Sequence, residues 1–214
     1  MSFASMYDQL ISDIDYDFII DFVEEKLSKE RSLLDVGCGT GVFSLALKKR
    51  GFHVTAIDND SEMLAVLSQK AQEAELFINT YIHDIKKPLN TTFDQMILLN
   101  DVINYFKGIK VVSKNLYDGL NQGGTIIVDL YKKEYLIEMD GYIEKDDLPL
   151  VYEWSIKVSN NRMTHCIKTK NQAYKFSQYI YDLTYYVSEF ERSGFKVTKL
   201  SGPDERKHYL ILKK

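Results

Sequence analysis

The sequence predicts an α/β fold: a doubly wound, mostly parallel seven-stranded sheet with a terminal antiparallel hairpin and a small antiparallel insertion. Three observations indicate it. Short apolar segments alternate with helical patterns through the first 131 residues, which is typical of a parallel sheet with helices on both faces. Polar residues recur where those segments end. The alternation of apolar segments and helical patterns changes from residue 132 onward, and two apolar segments near the last residue predict the terminal hairpin.

The first half of the chain contains four strand patterns joined by helical ones. A helical pattern over residues 8–29 comes first, because apolar residues recur there three and four apart. The predicted strands are 33–36, 52–57, 76–83 and 93–99, and the predicted helices begin after Gly41, at Ser61 and near Ile109. A strand over 125–130 completes the parallel part. Since ligands bind beyond the carboxyl ends of such strands, we expect a site there.

The second half changes character. Residues 132–150 are charged and we expect them to be irregular, whereas 152–158 and 163–169 flank Asn160 and Asn161, a hairpin signal. That turn places Ile156 opposite His165 and Trp154 opposite Ile167, so one face of the ribbon is apolar and contains a single histidine. A strand over 173–181 extends it to three strands. Thr184 is the expected cap of a helix over 185–192, which Gly194 ends; a hairpin of 195–200 and 208–212 follows.

Composition restricts the kind of protein. The 214 residues are 45% hydrophobic and 27% charged, which predicts one domain over 1–214, with 132–181 as a lid or substrate insertion. The net charge of −4 does not indicate the excess of basic residues that is typical of non-specific nucleic-acid binding. Two cysteines form no disulfide framework, and no apolar run reaches the length of a membrane span, so we expect a cytoplasmic protein with neither membrane nor nucleic-acid partner.

The most informative stretch is the glycine turn at residues 37–41, after the first strand. Its glycines at alternate positions let a ligand lie against the backbone, and we expect its N–H groups to face a polar ligand at a helix N-terminus. A dinucleotide fingerprint requires glycine where Val42 stands. The G-x-G-x-G form led by Asp35 resembles the first motif of the class I S-adenosylmethionine-dependent methyltransferases instead, and the terminal hairpin agrees with that family.

The resemblance covers essentially the whole chain and is most specific over 33–131. It implies S-adenosylmethionine as cofactor, with the glycine turn near its methionine part, Asp58 accepting from the ribose hydroxyls, Asp84 accepting from the adenine amino group, and Asn100 beneath the sulfonium. Asp35 is expected to orient the turn. The cofactor-contacting residues implied in this way are Tyr7, Tyr16, Asp35, Gly37, Cys38, Gly39, Gly41, Asp58, Asn59, Met63, Asp84, Ile85, Asn100, Asp101 and Tyr105.

A looser resemblance points to a small bacterial branch that includes amino-sugar N,N-dimethyltransferases, in which an antiparallel insertion covers the substrate and often helps to form a dimer. It rests on Tyr7-Asp8 and on the run from Asp101 to Tyr105. We expect His165 and Tyr7 as catalytic candidates, His165 as a base if the acceptor needs one, with His208 and Asp129 as further candidates for that base. The expected substrate-contacting residues are Tyr131, Trp154, His165 and His208. No metal site is expected.

Several functions remain open from the sequence. The first is methyl transfer in line to a nitrogen or oxygen of a small molecule, with a homodimer through 132–181 as one expected assembly. The others are methylation of RNA or protein, which the acidic balance disfavours, and cofactor binding without turnover. A nicotinamide-binding domain is disfavoured by Val42.

Overall fold

The structure is a computed structural model that describes residues 3–11, 14–147 and 150–214. Its strands are β1 (Ser32–Val36), β2 (His53–Asp58), β3 (Asn79–Ile82), β4 (Phe93–Leu98), β5 (Leu120–Tyr131), β6 (Ile143–Asp146), β7 (Tyr152–Ser159), β8 (Arg162–Thr169), β9 (Ala173–Tyr179), β10 (Lys196–Leu200) and β11 (Lys207–Lys213). Its helices are α1 (Phe3–Leu10), α2 (Tyr16–Glu24), α3 (Val42–Lys49), α4 (Ser61–Glu73), α5 (Lys110–Gly119), α6 (Tyr135–Met139) and α7 (Leu183–Ser193).

The predicted fold is confirmed. A seven-stranded sheet has the order β10-β11-β5-β4-β1-β2-β3, and β10 and β11 are its antiparallel members. Apolar side chains of α2, α3 and α4 pack on one face of this sheet, and those of α5 and α7 pack on the other. The strand order reverses between β1 and β4, and the carboxyl ends of these two strands therefore border a crevice suited to a ligand.

The predicted helix over residues 8–29 is wrong. Two helices, α1 and α2, occupy this region, and Asp15 begins the second because its side chain accepts a hydrogen bond from the backbone N–H of Asp17 at 3.2 Å. This cap overrides a continuous apolar periodicity. Ser12 and Asp13 lie outside the described residues. The separation allows α1 to face the carboxyl ends of the strands.

The insertion is a separate antiparallel sheet with the order β6-β7-β8-β9. It has four strands rather than the expected three, because residues 132–150 contain α6 and β6 instead of being irregular throughout. The predicted hairpin register is confirmed, with Ile156 opposite His165 and Trp154 opposite Ile167. Ile167 packs against Met6 and Leu10 of α1, which holds the insertion over the crevice.

The end of the chain forms the predicted helix and hairpin with shifted boundaries. The helix α7 begins at Leu183, so Thr184 is not its cap; Asp182 occupies the N-cap position. Gly194 ends the helix with a left-handed φ of 109°, as expected. The strand β11 begins at Lys207 and lies antiparallel to β5. It therefore lies between β10 and β5, one strand in from the edge of the sheet.

Candidate active site

A cavity of about 510 Å³ lies beyond the carboxyl ends of β1, β2 and β4. The glycine turn, the segments after β2, β3 and β4, and aromatic residues of α1 and β9 form its walls. Most of the predicted cofactor-contacting residues line it: Tyr7, Tyr16, Asp35, Gly37, Cys38, Gly39, Asp58, Asn59, Met63, Asp84, Ile85, Asn100 and Tyr105. Gly41 and Asp101 do not, because Gly41 packs against α4 and Asp101 turns inward.

The glycine turn folds back onto β2. The N–H of Gly37 donates to the carbonyl of Ile57 at 2.8 Å, and that of Gly39 donates to the Asp58 carboxylate at 2.9 Å. A Cβ on Gly37 would lie 2.7 Å from a methyl group of Val102, so no larger residue fits. These two N–H groups do not face a ligand, contrary to the expectation from the sequence. They hold the acid at the end of β2 beside the turn.

Two acids face one side of the cavity. The carboxylate of Asp58 accepts one backbone hydrogen bond on each oxygen, from Gly39 and from Asp60, both at 2.9 Å. Burial raises its pKa. Each oxygen retains acceptor capacity for a further donor. Asp84 accepts from the backbone N–H of Lys86 at 3.0 Å. This side of the cavity therefore suits a ligand with several hydroxyl or amino donors.

The segment after β4 forms the opposite end of the cavity. The side-chain amide of Asn100 donates to the hydroxyl oxygens of Tyr7 and Tyr16, at 3.2 and 3.4 Å. The ring of Tyr105 stacks on Phe176 with centroids 6.0 Å apart. Burial raises the pKa of the Tyr7 hydroxyl above its ordinary value. Hydroxyl groups and rings line this end.

Known proteins resemble this chain in fold and in sequence. One solved structure, an S-adenosylmethionine-dependent methyltransferase from Clostridium acetobutylicum ATCC 824, shares the fold with a TM-score of 0.84 over 99% of this chain and 97% of that one, at 21% identity. Residues 33–124 match the family described as a methyltransferase domain. A protein of Geobacillus sp. (strain WCH70), named as a methyltransferase, is 30% identical over 72% of this chain and 67% of its own.

The chain belongs to the class I S-adenosylmethionine-dependent methyltransferases. A second curated relative, YqeM of Bacillus subtilis (strain 168), is also named as a methyltransferase; it is 30% identical over 71% of this chain and 64% of its own length. The chain thus spans about two thirds of the length of these relatives. The sugar N-methyltransferase KedS8 from Streptoalloteichus sp. ATCC 53650 shares the fold, with a TM-score of 0.78 and 18% identity over 100% of this chain and 93% of that one.

The cavity of this methyltransferase fits S-adenosylmethionine. At Gly39, no atom lies within 4 Å of the position that a Cβ would take, so the turn leaves open space beside the cavity. Asp58 and Asp84 supply acceptors for a ligand rich in hydroxyl and amino donors, and Ile85 and Met63 supply apolar surface for a planar ring. The donor set and the space available therefore agree with the cofactor of the family.

The four expected substrate-contacting residues do not line this cavity. Tyr131 stacks on Tyr135 with centroids 4.3 Å apart. His208 lies in β11 beyond Lys207, and its Nδ1 is buried with no hydrogen-bond partner among the described residues. The expectation for Trp154 and His165 depended on the hairpin register, which identifies the residues of one face but not which sheet or helix covers that face.

His165 and Trp154 are bonded inside the insertion. The indole N–H of Trp154 donates to Nδ1 of His165 at 3.1 Å, and Nε2 of His165 lies 3.0 Å from Oε1 of Gln178. Since Gln178 donates its own amide to Asp101, His165 must donate from Nε2. Burial lowers the pKa of His165 to about 4. With both ring nitrogens occupied, the arrangement does not support His165 as a base.

Sequence reasoning missed an aromatic wall on the insertion side of the cavity. Phe3 contacts Tyr174 and Phe176, with ring centroids 5.3 and 5.8 Å apart, and it contacts Tyr7 at 5.7 Å. Alternation along β9 does place Tyr174 and Phe176 on one face. Only the packing of α1 against this sheet shows that the face lines the cavity.

Two other properties follow from the described residues. Over 3–11, 14–147 and 150–214, no helix combines the length and apolar character that crossing a membrane requires. Over the same ranges, no group of three or more His, Cys, Asp or Glu side chains is arranged to hold a metal ion.

We expect Asp35 to make stability fall as pH rises. Burial is the main cause that raises its pKa to about 7, and the hydroxyl of Ser44 opposes this by donating to it at 2.5 Å. The folded pKa exceeds the unfolded value, so the contribution is complete below about pH 4 and is lost as pH rises through 7. Between pH 5 and 8, the stability of wild type should fall by about 2.5 kcal/mol more than the stability of the variant Asp35→Asn. Urea unfolding at both pH values measures this, and equal losses would contradict it.

Proposed function

We propose that this methyltransferase transfers a methyl group to the amine nitrogen of a small molecule held against the aromatic wall. Support comes from the aromatic side chains of Phe3, Tyr174 and Phe176 that line the cavity, because a concave pocket with apolar walls admits a compact ligand more readily than a folded macromolecule. The fold shared with KedS8, a sugar N-methyltransferase, agrees with this proposal. A net charge of −4 disfavours RNA.

The chemistry of the cavity orients the cofactor. The carboxylate oxygens of Asp58 would accept hydrogen bonds from the two ribose hydroxyls. Asp84 would accept one from the adenine amino group beside Ile85. The methyl-bearing end then faces Asn100, Tyr7 and Tyr16. When bound, the cofactor supplies an electrophilic methyl group on a positively charged sulfur.

Support for a nitrogen acceptor comes from the described lining residues at the methyl end, which include no carboxylate and no imidazole. Among the described lining residues, the carboxylates are Asp35, Asp58, Asp60 and Asp84, all on the cofactor side, and His83 neighbours Asp84. The lining lysines are Lys86, which pairs with Asp84, and Lys175 of β9. Asp101 lies behind the lining, bonded to Lys207 and Gln178. An amine already carries a lone pair when deprotonated and needs no base, whereas a hydroxyl does. This is the observation on which the nitrogen acceptor depends.

The residues at this end align the acceptor and exclude water. The hydroxyl oxygen of Tyr7 accepts from Asn100, which leaves its proton available to donate to the substrate. Tyr105 and Phe176 cover the acceptor with apolar surface. Alignment of two bound reactants can supply much of the rate enhancement, so these contacts suffice without proton transfer by the protein.

The variant Tyr7→Phe should lower kcat/KM about tenfold and leave the affinity for S-adenosylhomocysteine within about threefold. The change removes one hydroxyl that orients the acceptor but keeps the ring in the aromatic wall. Steady-state kinetics with the identified substrate and calorimetry with S-adenosylhomocysteine measure the two effects. Tyr81→Phe, which changes an exposed tyrosine of β3, is the matched control. An unchanged kcat/KM would remove Tyr7 from the proposed alignment.

The proposed function is tested with S-adenosylmethionine labelled in its methyl group. The purified protein is incubated with separated fractions of bacterial extract, namely small molecules, RNA and protein, and the labelled product is identified by mass spectrometry and NMR. We expect a labelled small molecule with a new N–CH₃ group. An O–CH₃ product would contradict the nitrogen acceptor, label only in RNA or protein would contradict the small-molecule substrate, and no label in any fraction would indicate a binding protein.

A further inference from the structure

Two consecutive non-glycine residues after β4 have left-handed backbone conformations. Asn100 has a φ of 61° and Asp101 has a φ of 57°. Such conformations are unfavourable for residues with a Cβ and persist only where the surroundings enforce them. They aim two successive N–H groups at the same carboxylate: those of Asn100 and Asp101 donate to Asp129 at 3.1 and 2.6 Å. Asp129 thus fills an anion-binding nest within the chain.

Lys207 closes this cluster from the other side. Its ammonium donates to Asp101 at 2.9 Å, to Asp129 at 3.1 Å and to Oδ1 of Asn100 at 3.4 Å. The side chains of Lys207, Asp101 and Asp129 are 2%, 8% and 0% exposed. Burial by itself would lower the pKa of Lys207, but the two carboxylates raise it well above its ordinary value. The cluster therefore holds one positive and two negative groups away from water.

The cluster determines how Asn100 faces the cavity. An ammonium group can only donate, so the oxygen of the Asn100 side chain must face Lys207 and its NH₂ group must face Tyr7 and Tyr16. The opposite amide orientation would direct two donors at each other. The same cluster extends to the insertion, because Gln178 of β9 donates to the other oxygen of Asp101.

We propose that Lys207 is a positioning residue for methyl transfer. It fixes the amide of Asn100 and, through it, the hydroxyls of Tyr7 and Tyr16 at the methyl-bearing end of the bound cofactor. A buried ion cluster is weak as a device for stability, since apolar residues of similar volume are often as stabilising. Orientation of the side chains that line the cavity would explain why three charged groups are buried behind them, despite the free energy that their desolvation costs. The proposal rests on the cofactor orientation given above, which the Asp58 variants described in the Discussion test separately.

The test uses a pair of ligands that differ only at the methyl end. Sinefungin carries an amine where S-adenosylmethionine carries its methylated sulfonium, and S-adenosylhomocysteine carries neither group. The ratio of their dissociation constants therefore reports on contacts at that end, and a general loss of cofactor binding cancels from it. The measurement needs no methyl acceptor, so its failure is distinct from failure of the proposed substrate.

The informative variant is the double change Lys207→Met with Asp101→Asn. It removes one positive and one negative charge, so the net charge of the cluster stays as in wild type. Asparagine also tolerates the left-handed conformation at position 101. The single change Lys207→Met leaves two buried carboxylates together, and we expect it to lower the melting temperature strongly. Lys214→Met is the matched control, because Lys214 donates to two backbone carbonyls, of Tyr117 and Leu120, at the opposite end of the sheet.

In the double variant, we expect the affinity for sinefungin relative to S-adenosylhomocysteine to fall about tenfold, as for the loss of one charge-assisted hydrogen bond. Lys214→Met should leave the ratio within about twofold of wild type. A double variant that folds, binds S-adenosylhomocysteine and keeps the wild-type ratio would overturn the proposal. Loss of affinity for both ligands in equal proportion would do the same, because it would indicate a purely structural role.

Discussion

The variant Asp58→Ala should bind S-adenosylhomocysteine about 100-fold more weakly than wild type. In the proposed orientation, the carboxylate accepts from both ribose hydroxyls, and each hydrogen bond to a charged group contributes about 1.5 kcal/mol or more. The variant Asp58→Asn retains one acceptor oxygen and the shape of the side chain, so its loss should be smaller, about tenfold. Isothermal titration calorimetry measures both.

Asp94→Ala is the matched control for this prediction. Asp94 also belongs to a strand of the parallel sheet and accepts several hydrogen bonds, from the backbone and hydroxyl of Ser32 and from Asn121, but it lies at the amino end of β4. We expect this variant to be less stable by about 1–3 kcal/mol with its cofactor affinity unchanged. If Asp58→Ala also retained its affinity, the ribose assignment would be wrong.

The variant Gly41→Ala should destabilise the fold by about 2–5 kcal/mol. Gly41 has a φ of 88°, where an L side chain costs about 1–2 kcal/mol. Its Cβ would lie 2.5 Å from Cγ of Leu67, which is fully buried in α4, and overpacking adds about 1–3 kcal/mol. Urea unfolding followed by circular dichroism measures the change.

Gly39→Ala separates this effect from ligand binding. The φ of Gly39 is 52°, but its Cβ would meet no atom within 4 Å. We expect a stability loss of only about 1–2 kcal/mol from the backbone, together with about tenfold weaker binding of S-adenosylhomocysteine because the methyl group enters space beside the cavity. Equal stability losses in Gly39→Ala and Gly41→Ala would show that the contact with Leu67 does not determine how much stability Gly41→Ala loses.

Local patterns predicted the side of the cavity that carries the glycine turn and the acids. A buried strand that ends in a glycine turn, and a second strand that ends at Asp58, place their polar ends together whenever the strands are parallel neighbours, as β1 and β2 are. The hairpin register around Asn160 was predictable for the same reason, since turn length sets strand pairing.

The opposite end of the cavity was less predictable. Tyr7 and Asn100 were identified by resemblance, but the contact between them depends on the break between α1 and α2, which one capping acid produces. Lys207 was missed because the predicted last strand began one residue too late. Alternation with the buried Tyr209 would have placed Lys207 on an inward face. No local pattern reports that its partners are Asp101 and Asp129, which are distant in sequence.

By itself, the sequence determined the parallel sheet, the glycine turn and the acid that the turn holds, because each depends on periodicity or on conformations restricted to glycine. Only the tertiary structure decided that His165 bonds to Trp154 and Gln178 instead of facing the cavity. It alone brought Lys207 behind Asn100. The physical reason is that a buried polar group must find its partners wherever packing brings them, and these partners come from separate strands and from the insertion.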